Sequence, residues 1–238
     1  MNFPNIRYYG LHKANLLSED EQNFSDDFVI SNRIGSDSQV GTIWLAHINL
    51  SSFVIKVQSN LGKAHAEFEI QNYLSHKWPR NFLITYKCKD YSEHGNFIFM
   101  ETAIGDLSQV LKYSTVDEKM LSKYILDVIQ SVEIMSTEKI FHGDLHIRQI
   151  MIVLRNNVTF TKAVVGDFGE HLRIDSPTMH LSDLKTFFKS LLEIIHSFEI
   201  SACLEFISQR ISYIELNDLS YNLLSLQQDI SDIKNYFF

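Results

Sequence analysis

The chain has 238 residues, 45% of them apolar, enough for one large domain or two small lobes with a sizeable core. Its formal net charge of −8 argues against a general nucleic-acid binder, which needs a basic face to neutralise phosphates, although a nucleotide site needs only a few placed cations. Three prolines and nine glycines exclude a collagen-like or linker-rich chain, and no apolar run approaches the ~20 residues of a membrane span.

Residues 1–26 are polar and acidic, with Ser18, Glu19, Asp20 and Glu21 in succession, and read as a weakly structured extension. Met1 to Glu19 lacks the basic-then-apolar layout of a signal peptide. Cys88 and Cys203, the two cysteines, read as reduced thiols of a cytoplasmic protein. From Phe28 onward, short apolar runs alternate with turn residues. Phe28 to Ile34, Thr42 to His47 and Phe53 to Val57 read as strands, a helix fits Lys63 to His76, and strands follow near Leu83 to Cys88 and Phe97 to Met100.

The second half begins as helix. Thr115 and Glu118 have the spacing of a capping box, and Met120, Leu121, Tyr124, Ile125, Val128, Ile129, Val132 and Met135 recur at three- and four-residue intervals. Ile150 to Val153 and Ala163 to Val165 read as short strands around an Asn156-Asn157 turn, and the chain is helical again from Leu181.

Each of those two strands adjoins a polar cluster: His142-Gly143-Asp144-Leu145-His146 before the first, and Gly166-Asp167-Phe168-Gly169 after the second. An acid beside glycine at a strand end can hold a metal where the backbone turns. Two such acids on one hairpin can converge, and phosphoryl transfer needs that pair. One carboxylate orients the attacking hydroxyl and the other holds the magnesium that bridges phosphates.

In order and spacing these elements resemble the protein-kinase-like superfamily over about Phe28 to Leu192. His142 to Gln149 (HGDLHIRQ) resembles the catalytic loop, and Asp167-Phe168-Gly169 the magnesium-binding triplet. Phe53-Val54-Ile55-Lys56 resembles the strand that carries the phosphate-binding lysine. Glu69, with Glu67 nearby, falls on the helix whose glutamate pairs with it, and Phe97 to Ala103 resembles the last N-lobe strand and hinge.

The resemblance implies an α+β, bilobal fold: an antiparallel-sheet N-lobe with one helix over 27–103, and a shortened helical C-lobe over 104–238. It implies ATP and magnesium as cofactors. Lys56 would meet the α- and β-phosphates, held by Glu69, while Asp144 handles the acceptor hydroxyl and Asp167 and Gln149 hold the metal. Gly35, Gly41 and Ile43 would belong to the nucleotide-covering loop, and Met100, Glu101 and Ala103 would line adenine. Asp106 would reach the ribose or cap a helix. His142 would support the backbone near Asp167, and Asp183-Leu184 resembles an Asp-bearing helix that follows the activation segment.

Three departures stand out. Asp37 sits inside the Gly-rich loop, where glycine lets backbone N–H groups approach phosphate. Gln149 replaces the family's asparagine, one methylene longer. About fifteen residues separate Asp167 from Asp183, with no Ala-Pro-Glu element. This short C-lobe resembles the RIO kinases, the small kinase of the KEOPS complex and minimal kinases of viruses or bacterial effectors. The implied function is an ATP- and magnesium-dependent Ser/Thr protein kinase acting on a protein substrate or partner, basic if the acidic charge is a guide. A pseudokinase scaffold and a small-molecule or sugar kinase are the alternatives. Neither nucleic acid nor membrane is an expected partner, and the expected location is the cytoplasm, or the host's cytoplasm for a viral or effector protein.

Overall fold

The computed structural model describes residues 12–13, 27–34, 41–48, 51–91, 95–155, 160–173 and 177–195, together with Gln209 and Gln228. It is α+β. Backbone contacts divide it into two compact units, Met1–Pro79 with Leu83–Thr102, and Arg80–Phe82 with Ala103–Phe238.

The first unit is an antiparallel sheet of five long strands with a two-residue strand at its edge: β1 (His12–Lys13), β2 (Asp27–Ile34), β3 (Thr42–Ile48), β4 (Ser51–Gln58), β5 (Thr85–Tyr91) and β6 (Gly95–Met100), in spatial order β1-β2-β3-β4-β6-β5. The pairing of His12 with Phe28 and Lys13 with Asp27 brings part of the supposed polar extension into the sheet. Strand side chains alternate faces. One face buries Phe28, Ile30, Ala46, Phe53, Ile55, Val57, Phe97 and Phe99, with Phe28 edge-on to Phe53 and Phe99 at 5.8 and 5.6 Å between ring centres. Lys56 and Gln58 therefore point to the opposite face, the side that takes helix α1 (Leu61–Lys77). The Asn60 side chain caps α1 by accepting the Lys63 N–H at 3.0 Å.

The second unit contains β7 (Gly105–Asp106), α2 (Leu107–Tyr113), α3 (Glu118–Thr137), β8 (Ile140–Phe141), a 3₁₀ turn (Ile147–Gln149), β9 (Ile150–Arg155), β10 (Phe160–Val165), β11 (Leu172–Arg173) and α4 (Pro177–Ile195). Strands β10, β9 and β7 form one small sheet, β11 and β8 another. Helix α3 buries Leu121, Tyr124, Ile125, Val128, Ile129, Val132 and Met135, the stripe its spacing predicts, but Met120 lies off it and is exposed.

The expected Thr115 capping box does not form. Asp117 is the N-cap, accepting the Met120 N–H at 2.7 Å, so α3 starts at Glu118. A carboxylate one residue from the helix reaches that amide, whereas Thr115 lies outside the cap position. The Asn156-Asn157 turn and Cys203 lie outside the described residues, as does the helical expectation beyond residue 195 except at Gln209 and Gln228, which are helical. Among the described residues, no helix is long and apolar enough to cross a membrane.

Candidate functional site

In the first unit, Lys56 occupies the middle of the sheet, opposite Ile43 on β3 and Ile98 on β6. Only 5% exposed, its ammonium meets both oxygens of Glu67, at 2.8 and 3.0 Å. The role expected for Glu69 therefore falls to Glu67. Buried Ala64, Glu67, Ile70, Gln71 and Leu74 form the sheet-facing stripe of α1, and Glu69, two residues out of phase, is exposed. The apolar phase of the helix carries this signal; proximity in sequence to the apolar residue Ile70 does not.

A Cβ on Gly41 would fall against the Val57 carbonyl oxygen, so the residue just before β3 must lack one. Gly35 and Asp37 lie outside the described residues. Met100 is buried at the end of β6, with Gln71 Nε2 at 3.9 Å from its sulfur. Glu101 closes on Ile84 from both sides: its N–H donates to the Ile84 carbonyl at 3.0 Å, and its carboxylate accepts the Ile84 N–H at 2.7 Å.

In the second unit, Asp106 is the N-cap of α2. Its carboxylate accepts the Gln109 N–H at 2.9 Å and the Ser108 hydroxyl at 2.6 Å, and Gln109 returns a bond to the Asp106 N–H at 3.2 Å. Half-buried Ala103 precedes β7.

The acids sit on either side of one hairpin. Strands β9 and β10 pair Ile150 with Val165, and beyond that pair the Gly166 N–H donates to the Gln149 carbonyl at 3.0 Å. Gln149 and Asp167 thus leave the sheet side by side. Asp167 takes a left-handed φ of 62°, a conformation that few residues other than glycine adopt. Asp127 on α3 anchors β10, accepting the Ala163 N–H at 3.2 Å with Lys162 at 3.3 Å; burial raises its pKa and Lys162 opposes that rise.

His142 joins this hairpin to the Asp144 loop. Its Nδ1 accepts the Asp144 N–H at 3.3 Å, so its ring proton sits on Nε2 and is donated to the Gly166 carbonyl at 3.0 Å. The ring is fully buried, 4.8 Å from Phe168, and burial lowers its pKa, which keeps it neutral. Asp144 itself is half-exposed, with the His146 Nε2 3.5 Å from its carboxylate. Because His146 Nδ1 accepts the Arg148 N–H at 3.2 Å, the ring presents Nε2–H to Asp144.

Asp183 on α4 adds a support. Its two oxygens accept the N–H groups of His142 and Gly143 at 2.9 and 3.1 Å, and Gly143 holds a φ of 87°. Burial pushes Asp183 up to about 7, against these two bonds, and nearby Asp144 adds to the rise. Sequence spacing left this role unassigned because 40 residues separate Asp183 from Gly143.

Among the described residues, no group of three or more His, Cys, Asp or Glu is placed to hold a metal. No family model matches the chain, and no curated protein matches it.

Proposed function

We propose that the chain is an ATP- and magnesium-dependent phosphotransferase of the protein-kinase-like superfamily, acting on Ser/Thr hydroxyls of proteins. The observation that carries this reading is the tie through neutral His142, which couples the Asp144 loop to the hairpin end bearing Gln149 and Asp167. Phosphoryl transfer is largely a matter of positioning and charge, and this arrangement fixes backbone while leaving the Asp144 carboxylate open to solvent.

Asp144 orients the acceptor hydroxyl and takes its proton as that oxygen bonds to the γ-phosphorus and the bond to ADP breaks. Lys56, held by Glu67, supplies the cation for the α- and β-phosphates. With the Glu101 N–H committed to Ile84, the amide contact to adenine falls to Ala103. Asp167 and Gln149 offer a carboxylate and a carboxamide oxygen, hard donors of the kind magnesium takes alongside phosphate oxygens and water. Bound there, magnesium would neutralise charge on the transferring phosphates.

Gln149 and Asp37 favour a second reading, a partner-binding scaffold with the same fold. Transfer of labelled γ-phosphate from ATP to protein separates the two, with Lys56→Met as the control. A kinase transfers label and loses it in the variant; a scaffold transfers none.

A further inference from the structure

The Lys56–Glu67 pair has a third member. Gln58 lies two residues beyond Lys56 on β4, hence on the same face of the sheet. Its Nε2 donates to Glu67 Oε2, the oxygen that also accepts from Lys56 at 3.0 Å. Lys56, Gln58 and Glu67 are 5%, 1% and 1% exposed. The amide orientation is set by charge, since the reversed amide would press an oxygen against a carboxylate.

That orientation leaves Gln58 Oε1 buried with no hydrogen-bond partner among the described residues. Asn96, directly opposite on β6, gives no relief: its Nδ2 donates to the Gln58 main-chain carbonyl at 3.3 Å, and its own Oδ1 is likewise unpartnered. A methionine at 58 would fill similar space without an orphaned oxygen. Among the described residues, the one hydrogen bond the glutamine side chain makes is the bond to Glu67, and burying its oxygen is the cost of making it.

We propose that Gln58 is a positioning residue that locks the Glu67 carboxylate, and through it the Lys56 ammonium, beneath α1. One turn further along, Gln71 Nε2 donates to the Leu83 carbonyl at 3.2 Å, a second tether on the same helix face. The pair is then assembled by the chain itself, with no partner or modification needed to press α1 onto the sheet. This rests on the reading of Lys56 as the phosphate-binding cation.

The test measures acetylation of Lys56 by acetic anhydride in the full chain without nucleotide. Mass spectrometry compares wild type, Gln58→Met and Glu67→Gln, with exposed Lys63 and Lys112 as internal references. Freeing the carboxylate should speed Lys56 acetylation roughly tenfold in Gln58→Met, towards the Glu67→Gln rate, because hydrogen bonds to charged groups are the strong ones. The Tm should stay within about 3 °C, as the variant also removes the orphaned oxygen. An unchanged Lys56 rate overturns the proposal. So does a Gln58→Met chain that fails to fold, which would make Gln58 a structural residue. In the same variant the KM for ATP should rise with the acetylation rate. Faster acetylation in a chain whose wild type never uses ATP supports the lock and removes the phosphotransferase reading alone.

Discussion

Glu67 and Glu69 differ by two positions and by everything that matters for a charge. Glu67 is buried against an ammonium and a carboxamide, and Glu69 faces water. Removing one partner of a buried ion pair strands the other, so Glu67→Ala should destabilise the protein by ~3–5 kcal/mol. Glu69→Ala should stay within ~0.5 kcal/mol, as exposed substitutions do. Urea denaturation of the two variants checks this. Equal losses would contradict the assignment.

Asp183 makes a second residue-scale prediction. Its folded pKa, about 7, lies above the ordinary 3.8, so the folded state holds the proton more tightly. Its contribution to stability is full below about pH 4 and is lost as pH rises through 7. Burial lowers the pKa of His142, whose N–H Asp183 accepts, and Asp144 is the charged neighbour that adds to the Asp183 shift. Asp183→Asn removes the titration, so its Tm should fall less between pH 5 and 8 than that of the wild type. Identical pH profiles would show that Asp183 carries no such linkage.

At the scale of elements, most of the architecture was legible because burial leaves periodic marks. The alternation in Phe53 to Val57 and the stripe from Leu121 to Met135 each report one buried face. Ends were less legible, since a cap depends on which side chain reaches an amide. Thr115 and Glu118 have capping-box spacing, yet Asp117 holds the Met120 N–H. Asp117→Ala should therefore cost ~1 kcal/mol, and Thr115→Ala next to nothing. Thermal denaturation of both variants decides between the two caps; a loss confined to Thr115→Ala would reverse the assignment. Asp106 shows the same ambiguity in a candidate site residue: a position that the resemblance assigns to a ribose or to a helix cap is occupied as the cap.

Across the whole molecule, the sequence marked the candidate acids but not what holds them. Asp144 and Asp167 stand out as acids beside glycines at strand ends. Their supports come from distant chain, with Asp183 reaching back from α4 and Asp127 reaching across from α3 to β10. Such contacts leave no local pattern. Glu67 and Gln58 were within reach of sequence reasoning, through the phase of α1 and the alternation of β4, provided that face rather than proximity was followed.

The central claim is that Asp144 and Asp167 serve phosphoryl transfer. The most direct measurement is magnesium-dependent transfer of labelled γ-phosphate from ATP by the purified chain, beside Asp144→Asn and Asp167→Asn. Loss of an acid–base group typically removes a factor of ~10²–10⁴. The account predicts label on protein in the wild type, dependent on magnesium, and its near-complete loss in both variants. No transfer by the wild type, or equal transfer by all three chains, would contradict it.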